Sequence, residues 1–329
     1  MIFDAHAHLF SRAFFAMLWK QKSGADASEA DLRGMLAPLG VHLPPADPAE
    51  HAAGWVKLLD QSGVDRMVLF TSLPGEQSQV AAACKAFPLR LTGYTMVNPR
   101  APGALETAER DLTELGLRGL ELFPAMHRFD PSDEALVYPF YALAAKYKAP
   151  VFCHVGFLRV RLRELLGLPS PFDARFGNPL LIDRAAGDHP GVNFILPHFG
   201  CGFLREAAQV GLQRRNVFID TSSSNEWMRW QPEPMTWSRA LEICLSTFGG
   251  DRILYGSDSS TWPRGYRSDL LNELIATMTA LSVTPAIQEK ILSQNLARLL
   301  SIDLGTGGKR GPSGSRIGPV GSGVRRIPA

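Results

Sequence analysis

The stretch "IFDAHAHLF", residues 2–10, is an apolar run that carries His6 and His8 two positions apart. Side chains two apart on a β-strand point to the same face of the sheet, so we expect the two imidazoles to converge. A metal site explains this spacing, and so do two unrelated polar residues near the start of the chain. The surrounding sequence has to decide between them.

Strand-like and helix-like stretches alternate along the rest of the chain. Strand character is found in "VDRMVLFTS", "LRLTGYTMVNP", "LRGLELFP", "APVFCHVG", "GVNFILPHFG", "NVFIDTS" and "DRILYGSD". Helical spacing of apolar residues separates these runs and continues to "PAIQEKILSQNLARLL". With the opening strand this makes eight strand–helix units, which predicts parallel pairing and a closed (β/α)8 TIM barrel of the α/β class. An open doubly wound sheet is the alternative.

Composition indicates a soluble globular protein. Of the 329 residues, 45% are hydrophobic and 20% are charged. No apolar run approaches the roughly 20 residues of a membrane span. Asp4, His6 and His8 interrupt the first apolar stretch, which argues against a signal peptide, so we expect a cytoplasmic protein without membrane contact.

The chain divides into a folded body and a tail. Residues 304–329 are rich in Gly, Pro and Ser and contain five basic residues and no acid, so we expect a disordered basic appendage after a barrel domain of residues 1–303. The net charge of +2 then leaves the body mildly acidic, which argues against nucleic-acid binding. The four cysteines show no C-x-x-C spacing, and we expect reduced structural thiols.

Five polar residues follow the predicted strands at the same end of the barrel: His6, His8, His154, His198 and Asp258. Active sites of such barrels lie at the carboxyl ends of the strands. Each buried polar group without a partner would cost roughly 1 to 3 kcal/mol. A divalent cation satisfies them together, because imidazole and carboxylate are the ligands of open zinc sites. The group therefore predicts a metal site.

These strand ends resemble a known family. "DAHAH", "PVFCHVG", "FILPHFG" and "RILYGSD" are similar to motifs of the amidohydrolase superfamily, in the amidohydrolase-related branch that includes aminocarboxymuconate-semialdehyde decarboxylase. "GLELFP", "NVFIDTS" and "ILSQNLARLL" extend the resemblance over residues 2–300. It implies that His6, His8, His154 and Asp258 bind a divalent metal, with zinc as the expected ion.

The resemblance also implies catalytic roles for two of these residues. His198 would either orient the nucleophile and polarise the substrate or join the metal ligands. Asp258 would also accept a proton from the attacking water. Relatives are often dimers, so a homodimer is possible.

Two positions depart from the family pattern. Glu121 stands where many relatives have lysine; it could bridge to a second metal, hold the substrate or pair with an arginine, and we expect one metal and a substrate contact. Arg264, in "SDSSTWPRG", could bind a substrate carboxylate or form a surface salt bridge.

Two insertions follow strand ends, at residues 9–48 and 157–176. The aromatic stretch "FSRAFFAMLWK" in the first could be a substrate lid or a core-packing helix.

The leading functional hypothesis is a hydrolase that opens a small amide, lactone or related carbonyl substrate with metal-activated water. A non-oxidative decarboxylase of a small carboxylated substrate is the alternative, because the same residues serve both reactions. A TatD-like phosphodiesterase with two metals and a barrel without activity are further alternatives.

Overall fold

The computed structural model describes residues 1–222 and 226–304, so the predicted tail lies, from residue 305, outside the described residues. Eight parallel strands form one sheet in chain order. They are β1 Phe3–His8, β2 Arg66–Phe70, β3 Leu91–Val97, β4 Gly119–Leu122, β5 Val151–Cys153, β6 Phe194–Leu196, β7 Val217–Asp220 and β8 Ile253–Leu254.

The sheet closes between β8 and β1. The backbone N–H of Ala5 donates to the carbonyl of Tyr255 at 2.9 Å, and that of His8 donates to the carbonyl of Ser259 at 2.8 Å. A parallel bridge joins Ala7 to Ser259. The predicted (β/α)8 barrel is therefore confirmed, and the open sheet is wrong.

Fourteen α-helices lie in the described residues and cover the barrel. They are α1 Arg12–Ser23, α2 Glu29–Leu36, α3 Pro48–Ser62, α4 Gln77–Ala86, α5 Ala104–Thr113, α6 Pro124–His127, α7 Tyr138–Tyr147, α8 Arg161–Leu165, α9 Leu181–Asp188, α10 Leu204–Gln213, α11 Trp237–Phe248, α12 Ser268–Ala280, α13 Pro285–Glu289 and α14 Asn295–Leu299. Local sequence sets their ends: before α3, Asp47 accepts from the backbone N–H of Ala49, and Gly63 ends the helix in the left-handed region.

The last predicted helix is not continuous. A π-helical turn, Lys290–Gln294, separates α13 from α14. Contacts with the barrel accompany it, since the carbonyl of Ile291 accepts from the backbone N–H of Tyr255 at 3.0 Å. The amide of Asn295 donates to the carbonyls of Gly250 and Ile253, both at 2.8 Å. The chain end is thereby attached beneath β8.

Apolar residues fill the barrel interior at the end opposite the predicted site. Phe70, Tyr94 and Phe152 pack inside the sheet. Three leucines of the chain end belong to the same cluster: Leu296, Leu299 and Leu300. The histidines of the predicted site and Asp258 lie at the carboxyl ends of the strands, where the active sites of such barrels lie.

The aromatic insertion packs as a small core of its own. Phe14, Phe15 and Leu18 of α1 pack against α2 and against Leu166 of the second insertion. The ring of Phe10 stacks between those of His8 and Phe14, with centroid distances of 5.4 and 4.2 Å. The stretch therefore forms a core-packing helix that reaches the edge of the predicted site.

Stability should fall in acid because of a buried histidine. His51 on α3 is buried beside the indole of Trp262, and burial lowers its pKa from 6.5 to about 4. Between these two values the unfolded chain binds a proton that the folded chain does not, so stability is full above pH 6.5 and is lost as the pH falls toward 4.

We expect His51→Gln to reduce the loss in unfolding free energy between pH 7 and pH 5 by about 2 kcal/mol at most, from urea unfolding. His42→Gln, which removes an exposed imidazole, is the control and should follow the wild-type protein. Equal losses in His51→Gln and the wild-type protein would contradict the assignment.

Candidate metal centre

The two histidines of β1 meet as the sequence predicts. His6 and His8 point to the same side of the strand, and their Nε2 atoms lie 3.3 Å apart. His6 is fully buried, and His8 is 8% exposed at the mouth of the barrel. Phe70 and Phe152 contact the ring of His6, at centroid distances of 5.0 and 4.8 Å. The imidazole nitrogens thus converge above an apolar floor.

Asp258 completes a triangle with these two nitrogens. Its Oδ1 lies 3.5 Å from Nε2 of His6 and 3.4 Å from Nε2 of His8. Ligands bonded to one zinc ion at about 2.0 to 2.2 Å in a tetrahedral arrangement stand roughly 3.3 to 3.6 Å apart. The three edges match that spacing, so these donor atoms fit a single divalent cation.

His154 lies against the triangle. Its ring centroid is 5.1 Å from that of His6 and 5.7 Å from that of His8. One ring nitrogen from each of these three histidines falls within a 4.8 Å group. Phe123 stacks on His154 at 3.9 Å with the planes 6° apart, which fixes the ring orientation. Burial lowers the pKa of His154 well below its usual value, so the ring is neutral, as a metal ligand must be.

The electrostatics keep Asp258 ionised. Burial alone would raise its pKa, but the hydrogen bond with His8 and the neighbouring imidazoles of His6 and His198 hold the pKa well below its usual value. Its backbone has φ of 51°, in the left-handed region that non-glycine residues rarely adopt. His198 has φ of 58°. Backbone strain therefore occurs at the ends of strands β8 and β6, as it often does at functional sites.

Asp220 is a site residue that the sequence analysis did not single out. It ends β7, is fully buried, and places Oδ2 2.8 Å from Nδ1 of His6. Burial opposes its ionisation, but His6 holds its pKa below the usual value. A carboxylate behind a metal-binding histidine fixes the ring with its other nitrogen toward the metal. The available signal was the aspartate at the end of "NVFIDTS".

Glu121 has a histidine as its partner and not an arginine. Its Oε1 lies 3.1 Å from Nε2 of His154, and its Oε2 has no hydrogen-bond partner among the described residues. Burial, with the charges of Glu76 and Asp258, raises the pKa of Glu121 well above its usual value. The side chain lies beneath the mouth and is fully buried. Its predicted contact with substrate stays a prediction.

His198 belongs to the same cluster. Its ring centroid lies 4.8 Å from that of His6 and 5.9 Å from that of His154. Its Nδ1 is 2.7 Å from Oγ of Ser222, and burial lowers its pKa to about 4, so the ring is neutral at physiological pH. The structure thus brings together all five rim residues that the sequence predicts.

Arg264 lies beside Asp258 at the mouth. Its Nη2 donates to Oγ of Ser260 and reaches the carbonyl of Asp258 at 3.5 Å. Within residues 1–222 and 226–304 no ion pair of this guanidinium with a carboxylate is found, so the structure does not support the alternative of a surface salt bridge. A guanidinium without a carboxylate partner there suits a carboxylate ligand.

The cysteines are free thiols, as expected. Cys153 packs between sheet and helices, and burial raises its pKa above the usual value. Cys201, near the site, is buried with its Sγ 3.1 Å from the carbonyl of Phe157. A buried thiol that donates to a carbonyl agrees with a structural role.

The match to a family covers almost the whole described chain. Residues 3–302 match the model of the amidohydrolase family. The chain belongs to the amidohydrolase family. The resemblance seen in the strand-end motifs is confirmed, and an amidohydrolase is an enzyme, so the hypothesis of an inactive barrel loses its support. A search of the curated proteins finds no match.

Solved structures of similar fold have different activities. A 5-carboxyvanillate decarboxylase from Novosphingobium aromaticivorans, complexed with manganese, is 17% identical, with 92% of this chain and 96% of that chain covered and a TM-score of 0.61. A 4-oxalomesaconate hydratase from Rhodopseudomonas palustris is 17% identical over 92% and 96%, with a TM-score of 0.59. An amidohydrolase from Burkholderia multivorans with bound zinc is 16% identical over 92% and 100%, with a TM-score of 0.59. At these identities the likeness shows the fold alone.

No helix among the described residues of this amidohydrolase is long and apolar enough to cross a membrane. Its cytoplasmic location and its assembly as a homodimer stay predictions.

We expect Asp220→Asn to lower the affinity for Zn²⁺ and Mn²⁺ about 10- to 100-fold, because an amide cannot hold His6 as a carboxylate does. Competition with a chromophoric chelator measures the affinity. Asp111→Asn is the matched control: Asp111 is also buried, but it bonds Thr95 on the outer side of the barrel wall. An unchanged metal affinity in Asp220→Asn would show that Asp220 does not support metal binding by His6.

Proposed function

We propose that this amidohydrolase is a metal-dependent hydrolase of a small amide, lactone or related carbonyl substrate. The observation that carries the proposal is the triangle of Nε2 of His6, Nε2 of His8 and Oδ1 of Asp258, with edges of 3.3, 3.5 and 3.4 Å. With His154 beside it, the triangle supplies three imidazoles and one carboxylate for one divalent cation. Zinc is the proposed ion, since imidazole and carboxylate are its ligands in catalytic sites, and water would take a fifth position.

The bound cation would supply a Lewis acid for the substrate carbonyl and would bring the pKa of water to about 7. The residues of the chain transfer the proton and orient the metal ligands. Asp258, which is held ionised, accepts a proton from the attacking water and returns it to the leaving group. His6 is oriented by Asp220, and His154 is held between Phe123 and Glu121.

Substrate recognition is proposed for two further residues. Arg264 has donors that no carboxylate of the described chain occupies, and we assign it to a substrate carboxylate. Glu121, beneath the mouth, has one oxygen without a partner and is proposed to contact the substrate from below. A small carboxylated carbonyl compound fits both assignments.

A carboxy-lyase is the second candidate. A decarboxylase shares the fold, and the cationic Arg264 suits a carboxylated substrate of either reaction. Decarboxylation needs an acid that protonates carbon. The pKa of Asp258 lies well below its usual value, and that of His198 is about 4, so near neutral pH neither side chain carries the proton that an acid must donate. Hydrolysis would load such a proton on Asp258 from the attacking water, whereas a carboxy-lyase would have to take it from solvent, and for this reason we place hydrolysis first.

Product analysis tests the proposal. Elemental analysis of the purified protein first gives the metal and its stoichiometry; two cations per chain would favour the phosphodiesterase alternative. A panel of lactones and carboxylated aromatic compounds is then assayed in ¹⁸O-labelled water with detection of carbon dioxide. The hydrolase places one labelled oxygen in the product. Release of carbon dioxide without label would establish the lyase instead.

Asp258→Asn should lower turnover by about 10²-fold or more while the fold is kept. The substitution removes a proton acceptor but preserves size and the hydrogen-bonded backbone. Circular dichroism and thermal unfolding check the fold, and Asp269→Asn on α12 is the exposed control. A loss of turnover that only follows the loss of folded protein would indicate a purely structural residue.

Arg264→Ala should raise KM for carboxylated substrates about 10- to 100-fold and leave kcat nearly unchanged, since a charged hydrogen bond contributes roughly 1.5 to 3 kcal/mol. Steady-state kinetics with matched carboxylate and methyl-ester substrates measure the effect. Arg239→Ala, an exposed site on α11, is the control. An equal KM change for the ester would show that Arg264 does not read the carboxylate.

A further inference from the structure

A network of hydrogen bonds around Asp220 reaches both His6 and His198. Its Oδ1 accepts from the backbone N–H of His198 at 2.9 Å, from the backbone N–H of Ser222 at 2.8 Å and from Oγ of Ser222. Its Oδ2 bonds Nδ1 of His6 at 2.8 Å. Ser222 in turn places Oγ 2.7 Å from Nδ1 of His198. Asp220 and Ser222 are both fully buried, so water does not compete for these bonds.

The direction of each hydrogen bond follows from counting protons. A carboxylate is an acceptor only, and Asp220 has four donors around it, which leaves no room for a proton of its own. The single hydroxyl proton of Ser222 therefore goes to Asp220. Toward His198, Ser222 offers only a lone pair, so Nδ1 of His198 must carry the proton.

We infer that Ser222 is a positioning residue that, together with Asp220, selects for His198 the tautomer with its proton on Nδ1 and so leaves Nε2 as an acceptor. The inference rests on the proposed function only where it gives Nε2 of His198 a role in the reaction. A bare Nε2 accepts a hydrogen bond from water or from a substrate hydroxyl, or binds a cation.

Asp220 also holds the backbone of His198. It accepts from the backbone N–H of His198 and contacts the ring through Ser222, so one carboxylate fixes both the backbone and the side chain of that residue. His198 adopts φ of 58°, a conformation that needs such support. The contact between Oγ of Ser222 and Nδ1 of His6, at 3.3 Å, is longer than the bond of His6 to Asp220, so the proton count is unchanged.

Nitrogen NMR of the full-length, zinc-loaded protein labelled with ¹⁵N-histidine tests the inference without a substrate. The resonances of His198 are assigned by their loss in His198→Gln. We expect Nδ1 to show the shift of a protonated ring nitrogen, and Nε2 that of an unprotonated or metal-bound nitrogen. Ser222→Ala should shift His198 toward the Nε2–H tautomer, and Ser222→Thr should restore the wild-type pattern.

Ser293→Ala is the matched control, because it removes another buried hydroxyl, which donates to the carbonyl of Glu289 and to none of the site residues named above. It should leave the His198 resonances in place. A protonated Nε2 in the wild-type protein, or an unchanged tautomer in a folded Ser222→Ala, overturns the inference. If Ser222→Ala does not fold, the wild-type and Ser222→Thr spectra decide alone. Product analysis tests the reaction separately, so failure of one leaves the other standing.

Discussion

The site depends on the seam that closes the barrel between β1 and β8. The backbone N–H of Asp258 donates to the carbonyl of His6, and that of His8 donates to the carbonyl of Ser259, both at 2.8 Å. The buried Asp4 reinforces the seam by accepting from the backbone N–H of Ser257 at 3.0 Å. Residues at the two ends of the folded chain are therefore held at ligand spacing by the backbone of the barrel and not by mobile loops.

Buried carboxylates stand behind two of the histidines. Asp220 bonds Nδ1 of His6, and Glu121 bonds Nε2 of His154. The two carboxyl groups differ in charge state: hydrogen-bond donors surround Asp220, whereas burial, with neighbouring carboxylates, raises the pKa of Glu121 well above its usual value. Solved structures with the same barrel fold include a decarboxylase and a hydratase, so the fold by itself does not fix the reaction.

The sequence predicts the barrel and its rim because each strand is a short apolar run that ends in a polar residue. His154 and Asp258 were found this way without any knowledge of pairing. Asp220 was not, because its role depends on a contact with His6 that spans 214 residues and leaves no local pattern. Likewise the partner of Glu121 depends on the register of β4 against β5, and the π-helical turn in the last helix depends on tertiary bonds beneath β8.

The most direct test is anomalous diffraction at the zinc edge from crystals grown with Zn²⁺. One peak should lie about 2.0 to 2.2 Å from Nε2 of His6, Nε2 of His8 and Oδ1 of Asp258, with a nitrogen of His154 completing the ligands. A peak at another place, or no peak between these atoms at saturating zinc, would contradict the metal centre and the hydrolase built upon it.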